Sequence, residues 1–274
     1  MNTGFIIWTR YAILNLVNLK NQLLKFFARK ARPYLKTYGL LQTSKVFNTS
    51  ALVWNPGDER IVVLAPHMDD EVIGCGGTIA RHIAAGSEVS VIFLTDGRRA
   101  GDAIGATRKA EARRALQELG VQQIEFLNAA DGGLMEAAAG LAGSLRAHLQ
   151  RIQPALVYLP FFLEEHPDHR AASLLLLEAM RGVQLTFRCH GYEVWTPLFP
   201  NCLVRIDETM ENKKRSLTHY QSQLAESDYL HTALGLNAYR SNAFLGETCR
   251  FAEAFCVLPV SDYLALYQAY RAAR

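Results

Sequence analysis

The chain has 274 residues, half of them hydrophobic, with 29 basic and 26 acidic side chains and a net charge of +3 at neutral pH. That length and apolar content suffice for one sizeable core and exclude a disordered or fibrous chain. The longest uncharged stretch is 12 residues, short of the roughly 18 a membrane-spanning helix needs. The five cysteines are odd in number and lack short paired spacings, which predicts a reducing compartment and no cysteine-based zinc finger.

Taken in chain order, residues 1–57 come first as a basic extension. They hold eight Lys or Arg and no Asp or Glu, so the remaining 21 basic and 26 acidic residues leave the rest of the chain at −5. Ile13, Leu16, Val17, Leu23, Leu24 and Phe27 share one side of a helix, with Lys20 interrupting the stripe. Such a face either packs on protein, including a second copy of the chain, or lies on an anionic membrane surface. The first nine residues carry no positive charge and no small-residue cleavage site follows, so a signal peptide is not expected. The stripe is too apolar, and the remainder too acidic, for nucleic acid. We expect a cytoplasmic protein, peripheral on the inner membrane face if the extension binds lipid.

From residue 58 a single catalytic domain is expected, running to 274. Apolar runs predict strands at 61–66, 88–95, 123–127 and 155–160, alternating with helical patterns at 74–85, 107–119, 135–151 and 170–181. This order implies an α/β, Rossmann-like, mostly parallel sheet with helices on both faces. Beyond 182 the pattern is less regular, with strands expected at 188–195 and 202–206 and helices near 208–224 and 259–272. Gly74, Gly76 and Gly77 lack a following Gly-Lys-Ser/Thr, so they are read as close-packing positions and not as a phosphate loop. Cys75 beside them is read as a small packed side chain.

Two segments carry chemistry. Pro66-His67-Met68-Asp69-Asp70-Glu71 follows the first strand, and His166-Pro167-Asp168-His169 follows the fourth, whose apolar run is Leu156-Val157-Tyr158-Leu159. His67 at a strand end and Asp70 in the next turn suit one divalent ion, and His169 is the candidate third ligand, leaving a position for water. Asp69 is then placed to accept that water's proton. Each segment alone also reads as a polar turn capping the helix that follows. Their joint occurrence at strand carboxyl ends, where ligands bind in such sheets, favours the metal reading. Arg98, Arg99, Arg108, Asp96 and Asp131 lie at neighbouring strand or helix ends as candidate substrate contacts, with Arg240 and Glu253 as less specific ones.

The two motifs resemble the PIG-L/LmbE-like zinc-dependent deacetylases, which remove acetyl groups from N-acetylglucosamine-type sugars. The resemblance spans roughly residues 58–256 and includes Thr95-Asp96-Gly97-Arg98, Asp131-Gly132, the run Lys213 to Gln223, and Ala252-Glu253-Ala254-Phe255. It implies one zinc per chain on His67, Asp70 and His169, with Asp69 as general base. It also implies that His166 meets the oxyanion or protonates the leaving amine, and that Asp168 fixes an imidazole. Some relatives carry a tyrosine just ahead of the second motif, where this chain has Glu164 and Glu165. An N-acetylated sugar, linked to a lipid, nucleotide or glycoside, is the implied substrate, and a bell-shaped pH dependence the implied profile. Open alternatives are an amidase acting on a thiol–sugar conjugate, a metal-dependent phosphoesterase and a non-catalytic sugar-binding protein. The metal itself stays open, since the same ligands accept iron, manganese or cobalt.

Overall fold

The computed structural model describes residues 52–98, 101–246 and 249–273. The chain divides into two compact units, one of residues 49–264 and one of residues 1–48 with 265–274. Most of the basic extension, including its amphipathic stripe, and Arg99 lie outside the described residues. In the smaller unit, Tyr267 and Tyr270 stack with ring centroids 6.4 Å apart. Among the described residues no helix is long and apolar enough to cross a membrane.

Unit 49–264 is built on one eight-stranded sheet. Its strands are β1 (Leu52–Val53), β2 (Arg60–Ala65), β3 (Glu88–Thr95), β4 (Gln123–Ala129), β5 (Leu156–Pro160), β6 (Arg188–Tyr192), β7 (Cys202–Arg205) and β8 (Ala252–Pro259). The spatial order is β1-β7-β8-β6-β5-β2-β3-β4. The expected mostly parallel sheet is present, except that β8 runs antiparallel to both β6 and β7. β1 falls within the segment expected to be extension, yet it pairs with β7.

The helices are α1 (Asp70–Ala84), α2 (Asp102–Glu118), α3 (Leu134–Ile152), α4 (Pro167–Ala179), α5 (Met210–Leu217), α6 (Gln221–Leu224), α7 (Tyr229–Leu245) and α8 (Val260–Ala273). The helix expected over 208–224 is two pieces, α5 and α6. β1, α7 and β8 were not anticipated.

β2 is central because it can be: from Ile61 to Ala65 every side chain is buried, so it takes partners on both edges. From β2 the chain steps to β3 and β4 on one side, then crosses over to β5 on the other. The strand order therefore reverses between β2 and β5, and a crevice opens beyond their carboxyl ends. α1 leaves β2 against the sheet with almost no clearance. A Cβ on Gly74 would sit 2.3 Å from the Tyr192 ring, and one on Gly77 would sit 2.8 Å from Ile206. Those glycines serve backbone approach, as expected. Cys75 is buried and donates its thiol to the Glu71 carbonyl at 3.2 Å.

Candidate metal and catalytic site

The loop after β2 is pinned from below. Thr95 donates both its backbone N–H and its hydroxyl to the Pro66 carbonyl, at 3.1 and 2.7 Å, and the Gln223 amide donates to the Met68 carbonyl. α1 then begins with Asp69 in N-cap position, but its carboxylate makes no capping hydrogen bond. Asp70 turns back instead, its Oδ2 accepting the His67 backbone N–H at 2.8 Å. The capping alternative does not account for these two carboxylates. At the second motif it does hold locally, since His166 caps α4 through Nδ1, which accepts the Asp168 N–H at 3.2 Å.

Asp70 Oδ2 lies 3.2 Å from His67 Nδ1 and 3.2 Å from His169 Nε2. One Asp70 oxygen thus meets two imidazoles from distant stretches of the chain. His169 is fully buried, and neither of its ring nitrogens has a hydrogen bond among the described residues. An imidazole buried against carboxylates alone, Asp70 at 3.2 Å and Glu164 at 3.5 Å, with no aligned hydrogen bond is costly, and a cation between it, Asp70 and His67 removes that cost. The outer ring atoms fix the tautomers that metal binding requires. His67 Nε2 faces Asp168 Oδ2 at 3.2 Å, and His169 Nδ1 faces Glu164 Oε2 at 3.5 Å, so both lone pairs are left toward Asp70. Asp168 is itself held by the backbone N–H groups of Gly132 and Leu134, at 2.7 and 3.1 Å. The donor set therefore fits a single divalent ion. His166 stands close by: ring nitrogens of His67, His166 and His169 lie within 4.8 Å of one another.

The electrostatics match this geometry. Burial lowers the His67 imidazole's affinity for a proton, but Asp131, Asp168 and Asp70 outweigh it and hold its pKa well above the ordinary value. His169 behaves likewise, rising to about 9 because Asp70 and Glu164 outweigh its burial. Such a charge-hungry pair of imidazoles marks a place built for positive charge. Asp70 stays ionised well below the usual carboxylate range, since His169 and His67 overcome its desolvation. Asp69 goes the other way: burial, reinforced by the charges of Asp70 and Glu71, raises its pKa well above the ordinary value. Two adjacent carboxylates are thereby split into one fixed anion and one proton acceptor. Glu71, raised to about 8 chiefly by burial, accepts a hydrogen bond from the Tyr220 hydroxyl.

Asp69 also carries backbone strain. Its φ of 146° is a region that side chains seldom adopt, and it is locked there by the N–H groups of Val72 and Ile73, which bond its carbonyl at 3.0 and 2.9 Å.

His67, Asp69, Asp70, Arg108, Asp131 and His166 line one cavity of about 330 Å³, a volume at the lower end for small-molecule sites. Arg108 pairs with Asp131 at 3.7 Å and with Glu226 at 2.9 Å. Asp96 does not line it. Its Oδ1 accepts the Asp131 and Arg98 N–H groups and its Oδ2 the Arg98 Nε–H, so these two support Asp131 from behind. Arg240 and Glu253 are also removed from it: Arg240 braces Glu193 and the Leu198 carbonyl, while Glu253 pairs with buried Lys213 at 2.6 Å. The cavity further includes Trp195, Gln223, Glu226 and Tyr229, which sequence reasoning did not single out. Gln223 ends the run Lys213 to Gln223 that carries part of the resemblance, whereas Trp195, Glu226 and Tyr229 lie beyond residue 182, where the element pattern is irregular.

Residues 62–180 match the family model PIG-L, described as GlcNAc-PI de-N-acetylase, and they contain both motifs. Over those residues the chain is similar to the PIG-L family. It is 28% identical to diacetylchitobiose deacetylase from Thermococcus kodakarensis, over 61% of this chain and 71% of that one. It is 33% identical to 1D-myo-inositol 2-acetamido-2-deoxy-alpha-D-glucopyranoside deacetylase from Actinosynnema mirum, over 47% of this chain and 57% of that one. The chain thus spans little more than half of the latter relative. Its fold matches the crystal structure of the conserved protein TT1542 from Thermus thermophilus, with a TM-score of 0.62 and 29% identity, over 72% of this chain and 93% of that one.

Proposed function

We propose that this chain is a hydrolase that removes the N-acetyl group from an N-acetylated amino sugar of the N-acetylglucosamine type, using one zinc ion. The observation that carries this reading is the meeting of His67 Nδ1 and His169 Nε2 at one Asp70 oxygen, at a cavity that also holds Asp69 and Arg108. The similarity to two sugar deacetylases supports the substrate class.

His67, Asp70 and His169 hold the ion. When bound, it acidifies water to near neutral pH and polarises the amide carbonyl. Asp69, with its raised proton affinity, takes a proton from the attacking water. His166 meets the carbonyl oxygen as it becomes negative. Its Nδ1 accepts a backbone N–H, which assigns the neutral tautomer with the proton on Nε2. Burial and the imidazoles of His67 and His169 lower its pKa, keeping it a neutral donor. Asp69 then returns its proton to the amine nitrogen as the C–N bond breaks, giving acetate and the free amino sugar. Arg108 and Asp131 address the sugar hydroxyls.

A second donor set, His67, Asp131 and Asp168, raises the two-metal phosphoesterase. Its His67 atom is Nε2, on the far side of the ring from Nδ1, so an imidazole would separate two ions by more than the roughly 3.5–4 Å that two-metal catalysis uses. Asp168 is moreover occupied by Gly132 and Leu134. A metal content of one per chain is the expected outcome, and two would favour the phosphoesterase.

Zinc-loaded protein incubated with free, β-linked, nucleotide-linked and lipid-linked N-acetylglucosamine is expected to release acetate from at least one, and Asp69→Asn to abolish most of it. Release from none would reject the reading. The cytoplasmic placement, which rests on the unpaired cysteines, and the contact of residues 1–57 with anionic lipid, which rests on charge, belong to the same proposal; deletion of 1–57 is expected to end sedimentation with anionic liposomes.

A further inference from the structure

The cavity combines ionic and aromatic side chains. Arg108 bonds Glu226 at 2.9 Å, and its buried Nε finds no hydrogen-bond partner among the described residues. The same cavity carries an aromatic pair, with Trp195 and Tyr229 meeting edge to face, ring centroids 5.3 Å apart at 66°. Trp195 is 45% exposed, unusual for the largest apolar side chain when its neighbours Val194 and Leu198 are buried. Asp69 and Asp70, by contrast, are 8% and 2% exposed, so the reacting groups lie deeper in the cavity than Trp195, with Tyr229 partly buried.

Nor is Trp195 a loose surface ring. Its N–H donates to Glu164 Oε1 at 3.0 Å, beside those of Val194 and Thr196 at 2.6 and 3.1 Å. Glu164 is the carboxylate that faces His169. One buried side chain thus fixes the indole's backbone relative to the metal ligands. A half-exposed indole on an anchored loop, in one cavity with Arg108 and Asp131, has the two features a pyranose asks for: an apolar surface for its C–H face and polar groups for its hydroxyls.

Resting on the deacetylase reading above, we propose that Trp195 and Tyr229 form a stacking subsite for a second pyranose ring, the one glycosidically linked to the acetamido sugar at the reacting groups. The subsite selects for a disaccharide or longer glycoside over the free monosaccharide.

The test measures binding where turnover is blocked. In zinc-loaded Asp69→Asn protein, ligand-observed NMR titrations compare N-acetylglucosamine, N,N′-diacetylchitobiose and an octyl glycoside of N-acetylglucosamine. The disaccharide is expected to bind about fivefold tighter than the monosaccharide, an advantage that Trp195→Ala removes and Trp195→Phe largely keeps. Monosaccharide affinity is expected to change less than about twofold in either variant. Equal affinity for the two sugars, equal weakening of both by Trp195→Ala, or tightest binding of the octyl glycoside would each overturn the proposal. Absence of acetate release by the unmutated enzyme would strike the deacetylase reading, and the binding comparison stands apart from it.

Discussion

Glu164 Oε2 and His169 Nδ1 face each other at 3.5 Å with both side chains shut off from solvent, while Glu164 Oε1 accepts three consecutive N–H groups from residues 194–196. The carboxylate orients a metal-binding imidazole and anchors the loop that carries Trp195. Losing its charge weakens the imidazole's hold on the ion. Glu164→Gln is therefore expected to lower zinc affinity by roughly 10- to 100-fold, the usual range for such partners, with the fold intact. Competition with a chromogenic chelator measures it, and unchanged affinity would show that Glu164 only anchors the loop.

Asp69 couples strain to chemistry. At a φ of 146° a side chain costs on the order of 1–3 kcal/mol, and glycine far less. Asp69→Gly is expected to raise stability by about 1 kcal/mol over Asp69→Ala while both lose about 10²–10⁴ in kcat. Urea unfolding together with acetate release checks both halves. A glycine variant no more stable than the alanine one would remove the strain argument.

Two histidines away from the site make the stability of the fold depend on pH. Burial pushes His82 down to about 4 and, with Arg188 and His82 adding to it, His190 down to about 3. Both are neutral in the folded chain, whereas the unfolded chain protonates them near 6.5. The unfolded state thus binds more protons below that pH, and stability falls as pH drops from about 6.5 toward 4, by up to about 1.4 kcal/mol per pH unit for each histidine. His190→Phe, set among Trp54, Tyr158 and Phe255, is expected to flatten the slope by one such increment. Denaturation midpoints across roughly pH 4.5–7.5 measure it, and parallel profiles would contradict it.

Lys213 and Glu253 are fully buried and paired at 2.6 Å. Lys213 also reaches Asn237 and the Ile73 carbonyl, and Glu253 takes the N–H groups of Gly77 and Thr78 in α1. Removing one partner strands a buried charge, so Lys213→Met is expected to cost about 3–5 kcal/mol. Lys213→Met with Glu253→Gln is expected to cost less than the sum of the two single changes. Additive losses by thermal unfolding would show that the two do not act as a pair.

The half of the fold legible in the sequence is the half governed by local pattern. β2 and β5 read as unbroken apolar runs because both their faces are covered, and the helices between them keep a regular period. β8 escaped notice because Glu253 stands inside it, a charge whose partner, Lys213, lies 40 residues away. β1 was missed at two residues long, its pairing supplied by β7. The motifs were legible because His67, Asp69 and Asp70, and likewise His166 and His169, are neighbours in sequence. Trp195, Glu226 and Tyr229 are not, since they carry no motif and reach the cavity from a loop and a helix start placed only by tertiary packing. Asp96 and Arg98 stand behind Asp131, and in sequence a strand-end carboxylate looks the same whether it meets a ligand or holds the residue that does.

The most direct test is a crystal structure of the zinc-loaded chain with anomalous data at the zinc edge. One peak is expected, within about 2.0–2.2 Å of His67 Nδ1, an Asp70 oxygen and His169 Nε2, with Asp69 beside it. A peak bound by His67 Nε2, Asp131 and Asp168, or no zinc in the cavity at all, would contradict it.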